Sequence, residues 1–328
     1  MMKMTSRADQ AMLLLRHPSN PILTAHDWLH TVNAVFNPGA VRLQDGTTLL
    51  LCRVEDRRGI SSLWAARSRN GIDNWVIDSE PTFPPDPVNH PDEIWGVEDA
   101  RIVWLDELRK YAINYTAFSR AGPAVALALT EDFVRFERLG VMMPPENKDA
   151  ALLPYRFDGK WWMIHRPQNG LAGSIWLAES PDLHHWGKNR LVMTPRHGAW
   201  WDANRIGLGS PLIRTTRGWL MLYHANRPTG AGCLYRIGAA LLDLEHPDRC
   251  IKRGDEWILG PRDDYERLGD VGDVVFTCGH TIGDDGDEIN VYYGGADTCI
   301  ALAQGRISAI LDWLDTHSSV SGEPEAVS

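Results

Sequence analysis

SIWLAESPDLHHW, residues Ser174–Trp186, decides the fold because its plan recurs along the chain. A strand of small and apolar residues runs into a polar turn, and the same order returns as SLWAARSRNGIDNW from Ser62, AVALALTEDFVRF from Ala124, YRIGAALLDLEHP from Tyr235 and TCIALAQGRIS from Thr298. Successive starts lie about 50 to 63 residues apart, the spacing of propeller blades built from about four short strands each. Five copies predict five blades. The stretches between them, Ala40–Val54, Ala100–Tyr115, Leu152–His165, Leu212–His224 and Val274–Tyr293, read as strand pairs, with QDGT, FDGK, TRGW and DDGDE as hairpin turns. The expectation is an all-β, five-bladed β-propeller forming a single catalytic domain over residues 1–316, with 1–20 as an N-terminal arm. Helical periodicity is confined to Asp9–Arg16 and Ile307–Thr316, which predicts short N- and C-terminal helical extensions. Residues 317–328, ending SSVSGEPEAVS, have the composition of a disordered tail.

Composition narrows the partners. With 328 residues, 44% of them hydrophobic, the chain can bury one large core or two ordinary ones. A formal net charge of -10 argues against nucleic acid or an anionic membrane, so any bound anion needs a local basic pocket. The five cysteines are scattered without CxxC or zinc-like spacing, and reduced thiols in a cytoplasmic protein are the simplest expectation. The N-terminus has only a short apolar patch and no small-residue cleavage site, so no signal peptide is expected, and no apolar run is long enough for a bilayer. Fourteen tryptophans serve either core filling or the flat faces of a sugar cleft. Trp161 and Trp162 read as core; Trp200 and Trp201, in a Gly-flanked loop, are the better sugar platforms. Histidines without HExxH spacing predict no catalytic metal. GLGSP from Gly207 lacks a Walker lysine and reads as a close backbone approach near the axis.

Blades converge on a central channel, so function belongs to polar residues that recur at inner strands and their loops. WGVEDARIV, Trp95–Val103, places Glu98 and Asp99 side by side with Arg101 two residues on. Strict strand alternation puts Asp99 and Arg101 on one face and Glu98 on the other. Burial raises the pKa of such an aspartate and a neighbouring arginine lowers it, which leaves it either a proton donor or a fixed anion. Comparable rim residues recur in every blade: Arg53 and Glu55, Lys148 and Asp149, Arg166, Asp202 and Arg205, His224, Tyr235, Asp273 and Asp297. Cations facing aspartates around one axis suit a polyhydroxylated or phosphorylated ligand. Plainer roles compete: Arg53 and Glu55 as a cross-strand pair, His224 as a core imidazole, Lys148 as a solvated loop residue.

In order, GVEDARIV, KDAALLP, HRP, WDANRIGLGSP, YRIGAALLDLEHP, GDVGDVVFTCG and YYGGADTCIALA resemble glycoside hydrolase family 130 over roughly residues 20–303. That family contains β-mannoside phosphorylases and some β-mannosidases on a five-bladed propeller. The resemblance implies Asp99 as general acid, a phosphate site of Lys148, Arg166, Arg205, His224 and Tyr235, and sugar contacts at Asn37, Arg53, Arg101 and Asp297. Asp149 and Asp202 from the same rim complete the substrate-binding set. The chain departs from the family where many phosphorylases carry Arg-Asn at Lys148-Asp149 and Lys at Arg205, and arginine and lysine are not equivalent phosphate ligands. It reads GDVVFTCG, followed by His280, where PNVVFPCG is usual.

An inverting hydrolase needs a second carboxylate to activate water, whereas phosphate is already a nucleophile and needs cations. The expectation is therefore an inverting glycoside phosphorylase that converts a β-mannoside and inorganic phosphate, reversibly, to α-mannose 1-phosphate. Phosphate enters as co-substrate and no cofactor or metal is required. The alternatives are an inverting β-mannosidase using Asp149, Asp202 or Asp273 as base, and a non-catalytic glycan-binding propeller. A homo-oligomer is left open, with the N-terminal arm and loop 84–94 as contact segments or as covers of the cleft.

Overall fold

The computed structural model describes residues 13–169, 172–230 and 232–318, and its strands form five antiparallel sheets. Blade I comprises Ala34–Arg42, Thr48–Glu55, Ser61–Ser68 and Val76–Ile77; blade II comprises Val97–Leu105, Lys110–Ser119, Gly122–Thr130 and Phe136–Met143. Blade III runs through Asn147–Leu152, Trp161–Asn169, Ile175–Ser180 and Gly187–Met193, and blade IV through Arg205–Leu208, Gly218–Thr229, Gly232–Leu242 and Cys250–Arg253. Blade V takes Val275–Ile282, Glu288–Gly295 and Cys299–Arg306 from the C-terminal part of the chain and Leu14–Arg16 from the N-terminal part. The fold is the expected five-bladed propeller. The first strand of each blade lines the axis, and apolar faces of successive blades pack together, as where Leu49, Leu51 and Leu63 meet Ile102 and Ile113.

The N-terminal helix expected near Asp9–Arg16 is corrected by the structure: Leu14–Arg16 is a strand, paired antiparallel with Ala303–Gly305, and residues 9–12 lie outside the described set. An open edge on Cys299–Arg306 offers backbone partners that local helical periodicity cannot outweigh, and Leu14 enters the core at 1% exposure. Residues 13–20 are thus part of blade V, fastened further by Asn20 Nδ2 donating to the Leu302 carbonyl at 2.8 Å. Arg16 locks the closure, its Nε and Nη2 donating to the fully buried Glu266 carboxylate at 2.7 and 2.8 Å. Arg16→Ala leaves that carboxylate short of its charge partner. We expect a loss of about 3 kcal/mol, read as a lower denaturant midpoint with unchanged slope.

The C-terminal helix, Ile307–Thr316, lies where periodicity places it and buries Ile307, Ile310, Leu311 and Leu314 against blades IV and V. His317 stacks on Trp313, and Ser318 bridges Gly254, so the start of the expected tail is attached to the fold. Residues 319–328 lie outside the described set. Loop 84–94 is tied to its own blade: Glu93 accepts from Tyr115 at 2.6 Å and pairs with Arg138, whose guanidinium covers Phe83. Trp161 and Trp162 are core, as expected. Trp201 is core as well, stacked on Tyr223, and so is no sugar platform; Trp200 stays 37% exposed, with Arg196 over its ring. Among the described residues, no helix is long and apolar enough to cross a membrane.

Candidate active site

Three inner strands break their own regularity at one acidic or amide residue. Register shifts between Phe36 and Gly39, Glu98 and Arg101, and Lys148 and Ala151 mark β-bulges. Asn37, Asp99 and Asp149 sit at these bulges with φ of 45°, 52° and 54°. Asn and Asp tolerate this left-handed conformation better than other non-glycine residues, and a bulge re-aims a side chain that a flat strand sends elsewhere. Alternation therefore fails in WGVEDARIV. Glu98 and Asp99 both turn to Arg53, which donates to Glu98 Oε1 at 3.0 Å and Asp99 Oδ1 at 3.2 Å. Arg101 turns away to the backbone of blade IV.

Asp99 is 2% exposed and held on several sides. Asn37 Nδ2 donates to its Oδ1 at 3.0 Å, and Lys148 Nζ lies 3.7 Å from its Oδ2. Burial pushes its pKa up, but Arg53, Lys148 and Arg101, with the Asn37 hydrogen bond, outweigh this and hold the carboxyl below its usual range. Arg53 also donates to Ser61 Oγ at 2.9 Å and lies 3.6 Å from Glu55; the two residues stand on one strand, Thr48–Glu55, so the expected cross-strand pair is instead a contact along the strand. Asp297, at φ 49°, is pushed up to about 6, chiefly by burial and by the Asp99 charge, against the pull of Arg53 and Lys148.

Asp149 organises a second cluster, 1% exposed. Arg166 Nε donates to its Oδ2 at 2.6 Å, His224 Nε2 stands 3.4 Å from the same oxygen, and Arg101 Nη2 reaches Oδ1 at 3.4 Å. Burial opposes the Asp149 charge, yet Arg166, His224 and Arg101 hold its pKa well below the ordinary value. Lys148 and Arg166 face each other in register across blade III, so the two clusters are continuous. Gly207 passes beneath: a Cβ there would lie 2.5 Å from Asp149 Oδ2 and from His224 Cε1, the close approach expected of GLGSP. His224 packs on Phe276 at 4.4 Å between ring centroids, with Tyr235 6.5 Å away in a stacked orientation.

The remaining predicted residues stand apart in differing degrees. Arg101 is a keystone: it donates to the carbonyls of Gly209 at 2.6 Å, Leu208 at 2.7 Å and Asp99 at 3.1 Å, besides its contact with Asp149. Asp202 is fully buried beside blade IV, its Oδ2 accepting from Arg253 at 2.6 Å, Tyr223 at 2.9 Å and Arg196 at 3.2 Å, while Oδ1 has no hydrogen-bond partner among the described residues. Arg205 begins its blade's inner strand, exposed, opposite Asn226. Asp273 pairs with Arg267 at 3.1 Å. Ser61 and Phe276 were not anticipated, since neither is charged; Phe276 does lie within the GDVVFTCG motif, which is the signal that could have found it. The bulges had a readable signal, an Asn or Asp followed by Pro or Ala inside an apolar strand: Asn37-Pro38, Asp99-Ala100 and Asp149-Ala150.

A concavity of about 540 Å³ bounded by Tyr155, Arg156, Phe157, Arg190, Arg214 and His246 shares no residue with either cluster. Outside the clusters, His165 is pushed down to about 4 by burial, despite its hydrogen bond to Asn189 at 3.0 Å. The native protein keeps this imidazole neutral while the unfolded chain protonates it near pH 6.5. Its contribution to stability is thus present above that pH and is lost as pH falls toward about 4, at up to about 1.4 kcal/mol per pH unit. Denaturant melts at stepped pH are expected to show a shallower slope for His165→Gln over this window.

A family model described as beta-1,4-mannooligosaccharide phosphorylase matches residues 15–316. The β-1,2-mannobiose phosphorylase of Listeria innocua is 38% identical over 261 residues, covering 79% of this chain and 70% of its own. The β-1,4-mannooligosaccharide phosphorylase of Ruminococcus albus is 30% identical over 321 residues, covering 95% and 94%. A solved structure of the Listeria innocua enzyme with β-1,2-mannobiose superposes with a TM-score of 0.83 at 32% identity, over 93% of this chain and 99% of that one. With its propeller, its acidic centre and its cation cluster, the chain belongs to glycoside hydrolase family 130, the family of the mannoside phosphorylases.

Proposed function

We propose that the protein phosphorolyses β-mannosides, moving the mannosyl group from the glycosidic oxygen to inorganic phosphate with inversion. The products are α-mannose 1-phosphate and an acceptor shortened by one sugar. One observation carries this: Lys148 and Arg166, register partners on adjacent strands of blade III, join the Asp99 carboxylate to the cation cluster around Asp149. Lys148 and Arg166 bind the phosphate, with exposed Arg205 as a third cation and His224 and Tyr235 at its edge. Asn37, Arg53 and Asp297 hold the sugar beside Asp99. Arg101 supports the site from behind through backbone carbonyls, and Asp202 serves blade IV.

Asp99 supplies the proton for the leaving oxygen, directly or through a sugar hydroxyl. In the free protein its neighbours favour the carboxylate. A phosphate dianion beside Lys148 weakens the field that holds the carboxyl ionised, which couples proton loading to phosphate binding. The reaction draws on no other co-substrate. Against hydrolysis, the three carboxylates proposed as base are all held by arginines: Asp149 by Arg166, Asp202 by Arg253 and Asp273 by Arg267. All five cysteines are free thiols, which supports a reducing, cytoplasmic setting.

The test is incubation with β-1,2- and β-1,4-mannobiose, with and without phosphate, assaying α-mannose 1-phosphate and free mannose separately. Phosphate-dependent sugar phosphate is expected from one or both linkages. Free mannose released without phosphate would replace this assignment with the hydrolase, and neither product from any β-mannoside would favour a binding module.

A further inference from the structure

The cation cluster contains two orphaned polar atoms of opposite kind. Arg166 Nη1 and His224 Nδ1 are both buried without a hydrogen-bond partner among the described residues. Both side chains are held by one carboxylate, Asp149, at 2.6 Å to Arg166 Nε and 3.4 Å to His224 Nε2. The nitrogen facing a carboxylate carries the hydrogen, so the tautomer follows from the contact. Burial, with the nearby Arg166 and Arg101, disfavours protonation of His224 more than Asp149 favours it, and the ring stays neutral. Nδ1 is then a lone pair, an acceptor, while Arg166 Nη1 is a donor. The charged and titratable groups around the imidazole are Asp149, Arg166 and Arg101; Phe276 and Tyr235 pack on its faces.

A ligand that satisfies both orphans must accept from one side and donate to the other. Leaving either unmet in a buried site weakens binding by about 10- to 100-fold. A fully ionised tetrahedral anion can only accept. It would set its oxygens against the His224 lone pair and beside the Asp149 carboxylate. Phosphate at neutral pH keeps a hydroxyl, as does arsenate; sulfate has none.

We propose that Asp149 and His224 make the phosphate subsite require a hydroxyl on the oxyanion, so that it takes hydrogen phosphate or hydrogen arsenate and rejects sulfate. This rests on the phosphorylase assignment and adds a rule of selection to it. Asp149 is a positioning residue here, acting through the His224 tautomer and the Arg166 side chain. An Asn at this position would bring an N–H in place of a carboxylate lone pair, and would no longer dictate which imidazole nitrogen bears hydrogen.

The experiment is calorimetric titration of the intact protein with phosphate, arsenate and sulfate at pH 7, together with sulfate as an inhibitor of phosphorolysis. Phosphate and arsenate are expected to bind alike, and sulfate about 100-fold more weakly. In Asp149→Asn the sulfate gap is expected to close to less than about tenfold, through tighter sulfate binding and sulfate inhibition competitive with phosphate. His224→Gln, whose amide can donate, is expected to shift the gap the same way and serves should Asp149→Asn fail to fold. Sulfate within tenfold of phosphate in the native protein would overturn the proposal, as would a gap unchanged in both variants. If phosphate neither binds nor supports product formation, the phosphorylase assignment itself falls, and the selection rule with it.

Discussion

Replacing Asp99 with asparagine is expected to lower kcat for phosphorolysis by about a thousandfold while leaving the protein folded. Asparagine has the same shape and still accepts from Asn37 and Arg53 through its amide oxygen, so the Glu98–Arg53–Lys148 surround persists. What disappears is the transferable proton. The leaving oxygen must then depart as an alkoxide, or take a proton from water. Because the effect lies in the chemical step, KM for phosphate should move far less than kcat. The pH profile carries a second signature. Burial raises the Asp99 pKa, but Arg53, Lys148 and Arg101 bring it below its ordinary value in the free protein, so the active acid is a minority form above that pH and kcat/KM declines on the alkaline side. That limb should be absent from the residual activity of the variant. Retention of a tenth or more of native kcat, with a folded variant, would remove Asp99 from the role of acid.

Replacing Arg101 with leucine is expected to destabilise the protein by about 3–5 kcal/mol, the largest loss we expect from any single axial residue. Arg101 is 1% exposed and joins three blades: its own, through the Asp99 carbonyl; blade III, through Asp149; and blade IV, through the carbonyls of Leu208 and Gly209. Leucine fills part of the volume but leaves these carbonyls and part of the Asp149 charge without a partner, in a region water does not reach. Arg166 still pairs with Asp149, which keeps the loss from being larger. Urea melts monitored by tryptophan fluorescence read the change as a lower midpoint. A shift below about 1 kcal/mol would mean that water or neighbouring donors replace the guanidinium, and Arg101 would return to the list of sugar contacts. Phosphate affinity provides a second readout, because an Asp149 freed from Arg101 rests more heavily on Arg166 and His224.

Sequence by itself determined the number of blades and the C-terminal helix, and the family resemblance singled out Asp99, which the proposed function takes as the acid. The repeat from Ser62 to Thr298 is long-range periodicity, and the Asp-Gly turns and helix spacing are local chemistry; both can be read without coordinates. Three matters were decided only in tertiary structure. Leu14–Arg16 became a strand because its partners, Ala303–Gly305, stand at the other end of the chain, and an open sheet edge outweighs local periodicity. Glu98 and Asp99 came to share Arg53 because a bulge at φ 52° breaks the alternation that a regular strand imposes. Arg101 and Trp201 share with the proposed site residues the charge or ring that suggests ligand binding, but their neighbours in space consume it: carbonyls of Leu208 and Gly209, and the Tyr223 ring. Residue type limits what a side chain can do, and the partners that the folded chain brings within about 3 Å decide whether any of that capacity is left for a substrate.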